Sequence, residues 1–132
     1  LFELHAQARY KGWYFRALYT QAQLSNLNLV NTTLGNNIAE QLKGYYVELG
    51  YNLFDKRLEE SLTPFVRYES YNTQESVSQN VTTDPSKERT NITIGLAYQP
   101  LDQVIFKVDY TIRENEAETG VDQFNAGIGY MF

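Results

Sequence analysis

The chain has 132 residues, the length of one small domain, with 14% aromatic and 20% charged residues, no cysteine and a formal net charge of −5. Without cysteines it is no disulfide-stapled miniprotein, and a pI near 4.8 argues against a nucleic-acid partner. The frequency of aromatic and β-branched residues argues against disorder. A mean hydropathy of −0.47, with no apolar run approaching about 18 residues, excludes a transmembrane helix but not a transmembrane β-barrel, whose alternating strands average to a polar score.

Leu1 to Tyr10 alternates. Phe2, Leu4, Ala6, Ala8 and Tyr10 share one face, and Glu3, His5, Gln7 and Arg9 share the other. Lys11-Gly12 follows as a two-residue turn. The predicted hairpin pairs Tyr10 with Trp13, Ala8 with Phe15, Ala6 with Ala17 and Leu4 with Tyr19, all on the apolar face. Arg9 then pairs with Tyr14, Gln7 with Arg16 and Glu3 with Thr20. A slip of one residue would destroy this agreement.

Five more alternating segments are predicted, at 44–53, 62–72, 90–98, 104–113 and 123–132. A short helical turn is predicted around Asn37 to Leu42, with Asn37 as its cap. More than half the chain is then strand, so the fold is all-β: an antiparallel up-and-down meander of seven strands. The connections at 11–12, 54–61 and 99–103 are short or intermediate. Those at 25–43, 73–89 and 114–122 are longer, so the two ends of the sheet differ, as they do in outer-membrane barrels.

The apolar face sorts its rings. Tyr10, Trp13, Tyr51, Tyr98, Tyr130 and Phe132 lie toward the short-turn end. Phe2, Tyr19, Tyr45, Tyr68, Tyr110 and Phe124 lie toward the long-loop end. Aliphatic residues and alanines fill the band between, with Phe15 and Phe106 intruding. Two aromatic girdles around an aliphatic band are what a bilayer selects, because Tyr and Trp suit the headgroup level. The opposite face carries Arg9, Arg16, Glu48, Arg67, Glu69, Lys107, Asp109 and Arg113. So many charges in a dry interior would each cost several kcal/mol if unpaired, whereas a water-filled lumen removes that cost. These eight residues are the predicted pore lining.

Leu1 is not an initiator Met, and no leader pattern follows it. Seven strands put the first and last in the same direction, whereas bacterial single-chain barrels use an even number of at least about eight. The expectation is therefore that residues 1–132 form the C-terminal segment of a larger barrel.

Gly44-Tyr45-Tyr46-Val47-Glu48-Leu49-Gly50-Tyr51-Asn52 and Leu62-Thr63-Pro64-Phe65-Val66-Arg67-Tyr68-Glu69 resemble C-terminal strands of the phosphate-selective porin O and P family of Gram-negative bacteria. The ending Gly129-Tyr130-Met131-Phe132, with Ile128, Tyr130 and Phe132 alternating, resembles the assembly signal of outer-membrane proteins. The resemblance implies a barrel of about sixteen strands, a homotrimer and passive diffusion of small hydrophilic solutes or ions, anions such as phosphate among them. Its partners would be outer-membrane lipids, lipopolysaccharide and the barrel-assembly machinery. In this chain the lumen face mixes both signs, Arg9, Arg16, Arg67, Lys107 and Arg113 against Glu3, Glu48, Glu69 and Asp109, so phosphate selectivity is not carried over.

No catalytic, metal or cofactor site is predicted. His5 is the only histidine and reads as polar lining. No nucleophile set, Gly-rich phosphate loop or Cys cluster occurs. Glu114, Glu116, Glu118 and Asp122 crowd one loop and read as a solvated acidic surface, with bridging of divalent cations to lipopolysaccharide as the alternative. The sequons at Asn31, Asn80 and Asn91 are expected by chance in a chain rich in Asn and Thr. Two other readings remain: a non-conducting barrel for adhesion or structure, and a soluble barrel binding an apolar ligand.

Overall fold

The computed structural model describes residues 1–24, 39–54, 60–76 and 84–132. The chain is all-β. Seven strands, β1 (Phe2–Tyr10), β2 (Trp13–Gln23), β3 (Gln41–Tyr51), β4 (Ser61–Ser76), β5 (Glu88–Leu101), β6 (Val104–Asn115) and β7 (Gln123–Tyr130), form one sheet in chain order. Every pair is antiparallel, and β1 and β7 are open edges.

The β1–β2 hairpin has the predicted register, from Phe2 opposite Gln21 down to Tyr10 opposite Trp13. Lys11 (φ 48°) and Gly12 (φ 90°) both take positive φ, the conformation that lets a two-residue turn follow the strand twist. Pro64 sits in β4 where the ladder to β3 has already ended at Gly50–Phe65, so its missing N–H breaks no bond there. The Asn52 side chain takes over at that point: its Oδ1 accepts from the backbone N–H groups of Phe54 and Leu62.

Several boundaries differ from the sequence reading. Gln41 and Leu42 belong to β3, not to a helical turn; the other residues of that turn are Glu40 and Ala39, which are not helical, and 37–38, which lie outside the described residues. Strand β4 runs on to Ser76 and β5 starts at Glu88, so the ladder climbs well into the connection predicted as loop. The only regular structure described in that connection is one 3-10 turn, Pro85–Lys87, capped by Asp84, whose carboxylate accepts from Ser86 N–H at 2.9 Å and is held below the usual carboxylate range by hydrogen bonding from the Ser86 hydroxyl first and its N–H second. Strand β5 continues through Pro100, leaving only Asp102-Gln103 as the turn to β6. Strand β7 stops at Tyr130, so Phe132 of the proposed assembly signal lies beyond the ladder, although Met131 N–H still donates to Gln103 C=O at 2.8 Å.

The two faces differ in burial. Among the described residues no second layer covers the sheet, yet on the polar face Glu48, Phe65, Thr93 and Thr111 are buried, while on the apolar face Leu49, Ile94 and Val108 are exposed, Ile94 to 59%. Burial in a single layer needs the sheet to curl, and residues from β1 to β6 do converge on one hollow of the polar face. Curling crowds that face, and glycines make the room. The Tyr14 ring lies over Gly50, its partner on β3, where an added Cβ would stand 2.2 Å from the ring. Phe65 lies over Gly95 on β5, with 2.3 Å available to a Cβ. Gly127 on β7 faces open space.

These clearances set an asymmetry among glycines. Gly50→Ala is expected to displace Tyr14 and cost about 1–3 kcal/mol. Gly127→Ala is expected to be neutral or stabilising by up to about 1 kcal/mol, since strand backbone accepts alanine. Unfolding midpoints in urea, read by tyrosine and tryptophan fluorescence, check both, and equal shifts would refute the interlock.

Candidate functional site

Register alone places all eight predicted lining residues on the polar face. One cross-strand row reads Gln7, Arg16, Glu48, Arg67, Thr93, Thr111, Gln123. The next row toward the short-turn end reads Arg9, Tyr14, Gly50, Phe65, Gly95, Asp109, Asn125. Lys107 lies one row further, between Ala97 and Gly127. Toward the long-loop end, Glu69 and Arg113 flank Asn91.

Glu48 is the hub. It is 4% exposed, and its Oε2 accepts from Arg67 Nε at 2.8 Å and Nη2 at 2.6 Å. Arg16 Nη1 stands 3.6 Å from Oε1. Two guanidinium groups thus share one carboxylate and leave the trio net positive. Aromatic faces hold the cations in place: Arg16 lies over Tyr14 at 5.3 Å, Arg67 over Tyr46 at 5.1 Å, and Lys107 over Phe65 at 4.7 Å. Lys107 also reaches Asp109 at 3.4 Å, and Asn125 Nδ2 donates to Asp109 at 2.8 Å. Thr93 and Thr111 share a hydrogen bond at 3.0 Å.

A hollow of about 530 Å³ opens at the short-turn half of this face. Among the described residues Arg9, Lys11, Arg16, Arg67 and Lys107 line it, against Glu48 as the one carboxylate. Tyr14, Asn52, Ser61, Thr63 and Gln99 add neutral donors and acceptors. Glu69 and Arg113 are on the same face but line no part of the hollow, and His5 pairs instead with Glu3. Among the described residues no three His, Cys, Asp or Glu side chains cluster as metal ligands.

Sequence reasoning missed the Tyr14–Gly50 and Phe65–Gly95 interlocks and the part of Lys11. A signal existed: once the register is drawn, aromatic and glycine alternate across β2, β3, β4 and β5 in one row.

No family model, curated protein or solved structure matches the chain.

On the apolar face the rings form two stepped lines. Toward the long loops, Tyr19 pairs with Tyr45, Tyr68 sits one row lower between Val47 and Ile92, and Tyr110 sits one row lower again, between Ile94 and Phe124. Toward the short turns, Tyr10, Trp13 and Tyr51 share a row, Tyr98 lies one row lower beside Phe106, and Tyr130 lower still beside Val104. Both lines descend by four residues over the four steps from β3 to β7. Tyrosine hydroxyls point away from the band: Tyr110 donates to Asp122 in the β6–β7 connection at 2.7 Å, and Tyr98 to Glu60 at the opposite end at 3.2 Å.

The Glu48 hub makes a stability prediction. Glu48→Gln is expected to cost about 1–3 kcal/mol, the range for weakening a half-buried charge-assisted pair. Arg67→Gln added to it should cost little more, because its partner is already lost. A double-mutant cycle in denaturant checks the coupling, and strictly additive losses would refute it.

Proposed function

We propose that the chain forms part of the wall of an outer-membrane β-barrel, and that the barrel is a passive diffusion channel for small hydrophilic solutes or ions. The observation that carries this reading is the parallel descent of the two ring lines. If both lines lie level in a membrane, a step of one residue per strand requires strands tilted by about 35°, from a rise of about 3.3 Å per residue and a strand spacing of about 4.8 Å. Membrane barrels tilt by about 35–45°.

Other features support the same reading. Tyr19 and Trp13, Tyr45 and Tyr51, and Phe124 and Tyr130 stand six residues apart on their strands, about 20 Å of strand. The hydroxyl ends at Tyr110 and Tyr98 meet polar partners at opposite ends, as rings at two headgroup levels would. The exposed band carries no charge between the lines, whereas the polar face carries all eight predicted lining residues. Arg9, Arg16, Glu48, Arg67, Lys107 and Asp109 would face the channel near mid-depth and toward the short turns, with Glu69 and Arg113 above them.

Strands β1 and β7 run in the same direction, so an all-antiparallel closure takes an odd number of further strands, which would be paired to these edges. Bare edges in lipid would leave backbone groups without partners. A homotrimer, lipopolysaccharide contacts and recognition by the assembly machinery belong to the same proposal through the resemblance noted above.

Two tests address orientation and conduction. Ile94→Arg, in the middle of the exposed band, is expected to oppose membrane insertion by about 2–4 kcal/mol, whereas Gln7→Arg, at an exposed position of the polar face, is tolerated. Folding into lipid vesicles, followed by gel mobility without heating, checks this, and the reverse order would place the membrane on the wrong face. Neutralising Arg16 and Arg67 together is expected to shift ion selectivity toward cations. Reversal potentials in a planar bilayer read the shift, and an unchanged potential would remove both residues from the channel.

A further inference from the structure

We infer that Glu48 is a specificity-determining residue of the channel: its carboxylate occupies the place that a carboxylate-bearing solute would take between Arg16 and Arg67, so that such solutes pass this row without being held. The inference rests on the channel reading above and concerns how long an oxyanion stays, not the sign of the ions that cross. Arg16, Glu48 and Arg67 are direct cross-strand partners in one row of β2, β3 and β4. The backbones of β2 and β4 lie two strand spacings apart, about 10 Å, and both guanidinium groups reach the side chain of the strand between them. Arg67 closes Nε and Nη2 on Oε2, and Arg16 Nη1 faces Oε1. Two guanidinium groups converging on one carboxylate is how arginines recognise an oxyanion solute. Here the oxyanion is part of the wall.

Burial decides which groups a solute meets. The Glu48 side chain is buried, whereas those of Arg67 and Arg16 are 29% and 45% exposed. Solutes in the hollow therefore touch the two cations and not the carboxylate that satisfies them. Removing that carboxylate does not free the cations to swing away, because Arg16 also lies over Tyr14 and Arg67 over Tyr46. Among the described residues no other carboxylate lines the hollow, and Asp109 beside it is engaged by Lys107 and Asn125. With Glu48 the trio carries one net positive charge. Without it, two positive charges flank a space the size of a carboxylate. A conducting site must bind weakly enough to release its ion, and a full pair of charge-assisted bonds to arginine opposes release. Glu48 takes up those bonds in advance.

Glu48→Ala and formate, the smallest carboxylate, test this in the intact protein. In a planar bilayer in KCl, formate exchanged for chloride at constant ionic strength is expected to leave the wild-type current unchanged. The Glu48→Ala current is expected to fall along a saturating curve, by about half at 1–10 mM formate. Formate is also expected to raise the thermal unfolding midpoint of Glu48→Ala in lipid vesicles and not that of the wild type, a readout that needs no conduction. Glu48→Gln, which keeps the bulk of the side chain, is a second variant should Glu48→Ala fail to fold, and its block is expected at about tenfold higher formate. Saturating block of the wild type, or no block in any variant that folds, would overturn the role of Glu48 while leaving the channel standing. So would an equal block of Glu69→Ala, which removes the same charge from the same face outside the hollow, or a block that leaves the midpoint of the blocked variant unmoved. A folded, inserted wild type that carries no current would overturn the channel reading and the role of Glu48 with it, whatever the midpoints show.

Discussion

A sheet of one layer has two faces and no core of its own, so each face must meet a medium that suits it. Alternation makes the two faces of this sheet chemically unlike, and curling makes them sterically unlike. The polar face is compressed: Glu48 and Phe65 are buried there although no second layer lies upon them among the described residues. The apolar face is splayed, and Ile94, Ile128 and Phe124 stand mostly exposed. For a domain in water this is the wrong way round. Each exposed aliphatic side chain forgoes about 1.5–3 kcal/mol of burial, and here they form a continuous band. The proposed bilayer removes the contradiction, because hydrocarbon takes the splayed face and water takes the compressed one.

Compression of the polar face then dictates its details. Side chains on the inside of a curl converge, so bulky residues can be neighbours only if the position opposite is empty. Gly50 and Gly95 leave those positions empty, and Tyr14 and Phe65 fill them. These two rings in turn offer their faces to Arg16 and Lys107, which fixes where those charges stand. Arg67 is fixed by Glu48 and Tyr46. A charged lining that waved freely would be a weak field. Here glycine, ring and cation form a series in which each holds the next, and the position of charge follows from backbone curvature.

Much of this was legible in the sequence, because period-two alternation fixes which residues share a face and a wrong register would have mixed the faces. The hairpin from Phe2 to Gln21 was readable residue by residue for that reason. Strand ends were not. Gln41, Leu42 and Ser76 are polar or isolated from any alternating run, and their pairing follows from neighbours already zipped together rather than from their own preference. Pro100 misled in the opposite sense: it looks like a turn residue, but the ladder shifts between Tyr98 and Leu101 and passes it by. The site was legible as a set of residues sharing a face. Its pairing was not, since Glu48 and Arg67 are nineteen residues apart and meet only after β3 and β4 are aligned.

The same register that brings Glu48 to Arg67 also governs what can lie beyond the edges. On the proposed reading the ring lines descend four residues from β3 to β7, in drops of one row, or two residues, and a further stretch of wall whose rings all stayed level with Phe124 and Tyr130 would break that progression. A continuing wall has to lower its rings by a further row, two residues, for about every two strands added beyond β7. A strand added without that offset would bring its aliphatic band to headgroup level and its rings into hydrocarbon, which costs most where the ring hydroxyl loses its polar partner. The offset selects register as firmly at the edges as alternation does within the sheet, because a slip of two residues keeps every side chain on its proper face and is opposed only by depth.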